Sequence, residues 1–245
     1  LLRLHINHIL QVCSANTVDR DAGVPARGLN GEAYRGHVFW DELYVYRYLV
    51  LRMPEVVREL LLYRYHRLDE ARAAARELGL RGAMYPWQSG SEGIEETQKV
   101  HLNPLSGKWE PDHSHNQRHV NAAVFYNIHQ YLQATGDVDF MREHGVEMML
   151  EIARFWSSLA HLNPETDRYE IHGVMGPDEF HEKYPGATTG GMRNNAYTNV
   201  LVAWLCGVAK DSLSLLSASR AEALRDKLDI DDELLRTWDD MSRRM

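Results

Sequence analysis

Apolar residues return along this chain at three- and four-residue intervals, and that period limits what it can fold into more than any other feature. Leu2, Ile6, Ile9 and Cys13 form one such series, and Val120, Val124, Ile128 and Tyr131 a second. Met148, Ile152, Phe155, Leu159 and Leu162 form a third, and Leu201, Trp204, Leu205 and Val208 a fourth. Each series puts a stripe on one face of a helix, as expected of helices packed around a shared core. Further helices are predicted over 40–52, from Pro54 to a stop at Gly79, and once or twice within 217–244. Proline suits the first position of the second of these.

Three long connections separate the helices: 18–36, 82–116 and 167–195. Loops of this length are uncommon in compact domains unless they are functional or disordered. These hold too many aromatic residues for disorder, Tyr85, Trp87 and Trp109 among them. All three therefore read as ordered loops that build something. Alternation in Arg168–Val174 predicts a strand pair inside the third.

Composition removes several classes. Of 245 residues, 27 are Lys or Arg and 35 Asp or Glu, a net charge of −8 that disfavours non-specific nucleic-acid binding. Nothing approaches the roughly 20 consecutive apolar residues of a membrane span. The two cysteines, Cys13 and Cys206, read as buried free thiols and point to a reducing, cytoplasmic compartment. The chain starts at Leu1 inside a helical pattern and is expected to be a piece of a longer protein, a single helical unit over 1–245.

Four clusters at loop–helix junctions combine aromatic and polar groups: His37–Glu42 (HVFWDE), Met84–Gly93 (MYPWQSGSEG), Gly173–Glu182 (GVMGPDEFHE) and Arg193–Asn199 (RNNAYTN). Indole beside carboxylate or amide suits a sugar, whose C–H face lies on the ring while hydroxyls bond the polar group. Trp40 and Trp87 could equally anchor their loops in the core, and the residues alone leave both readings open. In the third cluster, Gly176 and Pro177 turn the chain ahead of Asp178 and Glu179. A carboxyl flanked by Met175 and Phe180 would have the raised pKa of a general acid; a solvated acidic turn is the alternative. His113, His115 and His119 have no established ligand spacing, and neither have Asp178, Glu179, His181 and Glu182, so no metal is expected. Nucleophile-elbow, phosphate-loop and dinucleotide motifs are absent.

In this order, GHVFWDE, MYPWQSGSEGIEETQ, GVEMMLEIARFW, GVMGPDEFHE and NNAYTN resemble glycoside hydrolase family 65, over roughly Arg35 to Trp204. The resemblance implies an all-α fold, an (α/α)6 barrel of which this length supplies only part, with long active-site loops. It implies inverting chemistry at an α-glucosidic bond, with Glu179 as general acid and Trp40, Asp41 and Trp87 around the non-reducing glucose. Gln88 stands where many members carry glutamate, and Asn194 is a further lining candidate. No cofactor is implied. The nucleophile would be water activated by a downstream carboxylate or, in a phosphorylase, inorganic phosphate held downstream as co-substrate. The wording of the Met84–Gly93 cluster leans to hydrolysis of a disaccharide such as kojibiose, maltose or trehalose. Phosphorolysis and a non-catalytic carbohydrate-binding helical domain are the rivals. The expected partner is a small carbohydrate, without nucleic acid or membrane, and a homodimer is the candidate assembly.

Overall fold

A computed structural model of the chain describes residues 1–245 except Asn30, Glu32 and Asp178, Glu179 and Phe180. Among the described residues the elements are helices joined by loops and three two-stranded antiparallel hairpins. Helix α1 spans Leu2–Val12, α2 Glu42–Leu49, α3 Pro54–His66 and α4 Leu68–Glu77. Strands β1 (Val100–Asn103) and β2 (Lys108–Pro111) follow, then α5, Val120–Thr135. The single turn α6, Val138–Phe140, passes through a π-helical segment into α7, Val146–Leu159. Strands β3 (His161–Asn163), β4 (Arg168–Glu170), β5 (His172–Val174) and β6 (Met192–Arg193) precede α8, Ala196–Ser212. Helices α9, Ala218–Lys227, and α10, Asp232–Arg244, end the chain. Among the described residues, no helix is long and apolar enough to cross a membrane.

Local chemistry sets many of these boundaries. Pro54 opens α3 at its first turn. Asn195, Ser217 and Asp231 cap α8, α9 and α10 through side-chain oxygens that accept from Thr198, Arg220 and Leu234 amides. Gly136 ends α5 in the left-handed region (φ 67°), which glycine enters without a Cβ penalty.

Helix α5 packs against α2, α3, α7 and α8, and α8 lies against α7 and α10. Phe125, Ile128, Phe140, Phe155, Trp156, Leu205 and Trp238 are all fully buried in the core these helices share. Burying each side chain of this size contributes on the order of 3 kcal/mol before conformational entropy is set against it. The Trp238 indole N–H is satisfied by Ser157 Oγ at 3.1 Å.

Four sequence expectations shift. The span from Pro54 to Gly79 divides at Arg67 (φ −107°, ψ 20°) into α3 and α4. There the Arg67 guanidinium donates to the Tyr63 carbonyl, to Ser91 O and to both Asp21 oxygens, fixing the break. Leu162 does not continue the α7 stripe. Ala160 is extended after Leu159, and Leu162 lies exposed in β3. On α8 the buried face is Val202, Leu205, Cys206 and Ala209, about one position from the series read in sequence. Arg168–Val174 does form two strands, but β4 pairs with β3 and β5 with β6. Cys13 and Cys206 are buried free thiols, as expected.

Candidate active site

Helix α3 organises the region where the aromatic motifs meet. Its buried Arg64 donates to Glu42 Oε2 from Nε (3.1 Å) and Nη2 (2.9 Å), and to the Phe39 carbonyl at 3.1 Å. Glu42 also accepts from the Tyr46 hydroxyl at 3.0 Å. The start of α2, with Trp40 and Asp41 just ahead of it, is thereby tied to α3. Adjacent to it on α3, Tyr63 OH lies 2.8 Å from Ser89 Oγ and 2.7 Å from the Gly90 carbonyl, which pins the loop carrying Trp87.

The loop is shaped from inside by Glu95. Its carboxylate accepts from the amides of Trp87 (2.8 Å) and Gln88 (3.1 Å), while Ser89 exchanges backbone hydrogen bonds with Val38 at 2.9 Å. At the base of the loop, Asn121 on α5 accepts from the Tyr85 amide at 2.6 Å. The first two motifs are thus one construction, although about 45 residues lie between Trp40 and Trp87.

Trp40 and Trp87 are both half-buried and converge on His119, which precedes α5. The Trp40 ring stands edge-on to the imidazole at 4.8 Å, and the Trp87 ring is tilted to it at 5.1 Å. Tyr197 on α8 is 6.1 Å from Trp40 and 6.0 Å from His119; Tyr44 flanks Trp40, and Phe39 flanks Trp87. His119 is fully buried, and neither ring nitrogen has a hydrogen-bond partner among the described residues. Burial lowers its pKa to about 4, against a smaller opposing pull from the Met175 backbone, so the imidazole is neutral at pH 7.

Asp41 lies beside Trp40, and its carboxylate makes no ion pair with any described residue. Burial raises its pKa, with its own backbone amide opposing. A half-buried, unpaired carboxylate next to an indole can accept two sugar hydroxyls while the ring covers the pyranose C–H face. Gln88 is almost fully buried with its Nε2 unpartnered, a donor held close to the same loop.

The proposed general acid Glu179 lies outside the described residues, with Asp178 and Phe180. The flanks of its segment are well held. The Met175 amide donates to Asn116 O at 2.8 Å, and the Gly176 amide to His181 O at 3.3 Å. A Cβ on Gly176 would come within 2.7 Å of His181 Nδ1 and Asn195 Nδ2, so only glycine fits there.

Asn194 is placed differently from the other candidates. It adopts φ 53°, its Oδ1 accepts from the Ile171 amide at 3.0 Å, and its own amide donates to Ile171 O. Its side chain is engaged in joining the hairpin to α8. His113 and His115 do not assemble with His119 into a metal-ligating group among the described residues. Sequence reading missed His119 as the hub between the two indoles, having weighed it only as a metal ligand. It also missed Tyr197, although the NNAYTN motif contains it.

A mainly helical scaffold carries on its loops two indoles near an unpaired carboxylate, an arrangement suited to a sugar ring. The chain belongs to glycosyl hydrolase family 65, whose central catalytic domain matches residues 3–245. It is 54% identical over 245 residues to an uncharacterized glycosyl hydrolase of Mycobacterium tuberculosis (strain ATCC 25618 / H37Rv), covering all of this chain and 18% of that protein. It is 48% identical over 206 residues to trehalose 6-phosphate phosphorylase of Lactococcus lactis subsp. lactis (strain IL1403), covering 83% of this chain and 26% of the relative. Among solved structures, a proposed kojibiose phosphorylase from human microbiome superposes with a TM-score of 0.79 at 28% identity, over 97% of this chain and 29% of that one. The chain thus spans less than a third of each of these proteins. The likeness supports the all-α, partial-toroid architecture expected from the motifs.

Proposed function

We infer that the chain carries the glucose-binding and proton-donating part of an inverting disaccharide phosphorylase acting on an α-linked glucoside. The convergence of Trp40 and Trp87 on His119, with Asp41 unpaired beside them, carries this reading. In it, Trp40, Asp41, Trp87 and Gln88 hold the non-reducing glucose, and Glu179 protonates the glycosidic oxygen. Phosphate attacks the anomeric carbon from the opposite ring face, the bond to the leaving sugar breaks, and β-glucose 1-phosphate is formed. Asn194 stays a lining candidate, with its Oδ1 engaged by the Ile171 amide.

Phosphorolysis is preferred over the hydrolysis suggested by the motif wording because relatives with a stated activity are phosphorylases. The candidate substrates are kojibiose, maltose and trehalose, and the similarity to the Lactococcus lactis enzyme adds trehalose 6-phosphate. Inorganic phosphate is the co-substrate in this reading.

The test uses the intact protein that carries this chain, assayed on each disaccharide with and without phosphate. Phosphate-dependent release of β-glucose 1-phosphate, abolished by Glu179→Gln with glucose binding retained, is the expected result. Glucose release without phosphate would replace phosphorolysis by hydrolysis, and undiminished turnover of Glu179→Gln would remove the acid assignment.

A further inference from the structure

Beside the root of the loop that carries Glu179, three strands bring together two imidazoles and a carboxylate. His161 heads β3, Glu170 ends β4 and His172 begins β5. His161 and Glu170 are cross-strand partners in the β3–β4 register. Glu170 and His172 are two residues apart on an extended chain, a spacing that returns side chains to the same face. The Glu170 Oε2 atom is 2.9 Å from His172 Nε2 and 3.6 Å from His161 Nε2, and the two rings stand edge to face at 4.4 Å. One ligand atom from each residue falls within a 4.8 Å span.

We propose that His161, Glu170 and His172 form a binding site for a divalent transition-metal ion, with Zn2+ the best fit. Zinc bonds imidazole nitrogen and carboxylate oxygen at about 2.0–2.2 Å, which sets neighbouring tetrahedral ligand atoms roughly 3.4 Å apart. The observed separations of 2.9 and 3.6 Å bracket that value, so small side-chain rotations suffice. Two imidazoles with one carboxylate select zinc and its neighbours over Mg2+ or Ca2+, which take oxygen ligands.

The surroundings support a ligand set rather than a chance cluster. Glu170 is nearly buried and offers only Oε2 to the imidazoles. Its Oε1 is held by Arg193 Nη2 on β6 at 2.6 Å and by Asn163 Nδ2 on β3 at 3.0 Å. Outer hydrogen bonds of this kind fix the orientation of a metal-binding carboxylate. Both histidine side chains are about half exposed, at 50% and 43%, which leaves an entry path and a fourth position open to water. A bound ion would join β3, β4 and β5 where the polypeptide enters residues 175–191.

The experiment is a calorimetric titration of the metal-stripped intact protein with Zn2+, alongside Co2+ followed by its visible d–d bands. One equivalent bound, with the band pattern of a four-coordinate site and no uptake of Mg2+, is expected. His161→Ala/His172→Ala should weaken Zn2+ binding at least roughly tenfold, since even the outer partners of metal ligands commonly matter by that factor. Glu170→Gln should weaken it as well, while His5→Ala/His8→Ala, on α1, leaves it unchanged. Circular dichroism of each variant confirms folding, which the exposed histidines do not control. A His161/His172 double variant that binds Zn2+ like the parent overturns the proposal, as does a parent protein that binds none.

Discussion

Arg64 and Glu42, one on α3 and one at the start of α2, form an ion pair of 2.9 Å in which both side chains are almost wholly buried. Removing one partner of such a pair leaves an uncompensated buried charge and costs about 3–5 kcal/mol. Arg64→Met should therefore lower stability by that order, and Arg64→Met/Glu42→Leu should recover much of the loss. Denaturant midpoints of the three proteins measure it, and additive losses in the double variant would contradict the pairing. Because Arg64 also holds the Phe39 carbonyl, the single variant should weaken sugar binding too.

Trp40→Ala should weaken glucose binding by roughly tenfold or more, the equivalent of about 1.4 kcal/mol for a lost aromatic face. Asp41→Asn should weaken it as well, by removing charge from the hydroxyl acceptor. Quenching of intrinsic fluorescence by glucose in the parent and in Trp87→Ala reads the same site. Unchanged affinity in both tryptophan variants would return the indoles to a core-anchoring role.

His119 should make the protein sensitive to mild acid. Its folded pKa is about 4, below the ordinary 6.5, so the unfolded chain takes up a proton in a range where the folded chain does not. Stability from this group is fully present above about pH 6.5 and is lost as pH falls towards 4, by on the order of 3 kcal/mol at most. Chemical denaturation at several pH values should show a flatter profile over that window for His119→Asn. Parallel profiles for parent and variant would rule the effect out.

Cys13 and Cys206 should resist thiol reagents while the protein is folded. Burial pushes their pKa values up to about 11 and about 12, which removes the reactive thiolate at pH 8. Colour development with a disulfide reagent should be slow in buffer and reach two thiols in urea. Rapid labelling of the native protein would show that a segment bearing one of them opens readily.

Much of the helical scaffold is legible in the sequence. A stripe such as Val120, Val124, Ile128 and Tyr131 is a local pattern, and α5 buries all four. The motifs likewise pointed to Trp40, Asp41 and Trp87. The division at Arg67 could not be read in this way, because it depends on Tyr63, Asp21 and Ser91 meeting one guanidinium. The β1–β2 hairpin inside 82–116 was also missed, since its strands are short and mostly exposed.

Apolar residues at helical spacing, broken by aromatic loops, specified a mainly helical domain, and the ordered motifs carried its resemblance to a family. Neither could say which side chains would share a site. That needed helices to cross: α3 holds Trp40 through Arg64 and Trp87 through Tyr63, while α5 places His119 between the two rings. The Oδ1 of Asn194, grouped with the sugar-binding residues by its motif, accepts from the Ile171 amide. Periodicity is a property of neighbours along the chain, set by the geometry of one turn. Convergence of residues tens of positions apart arises only when packed faces choose how the elements meet.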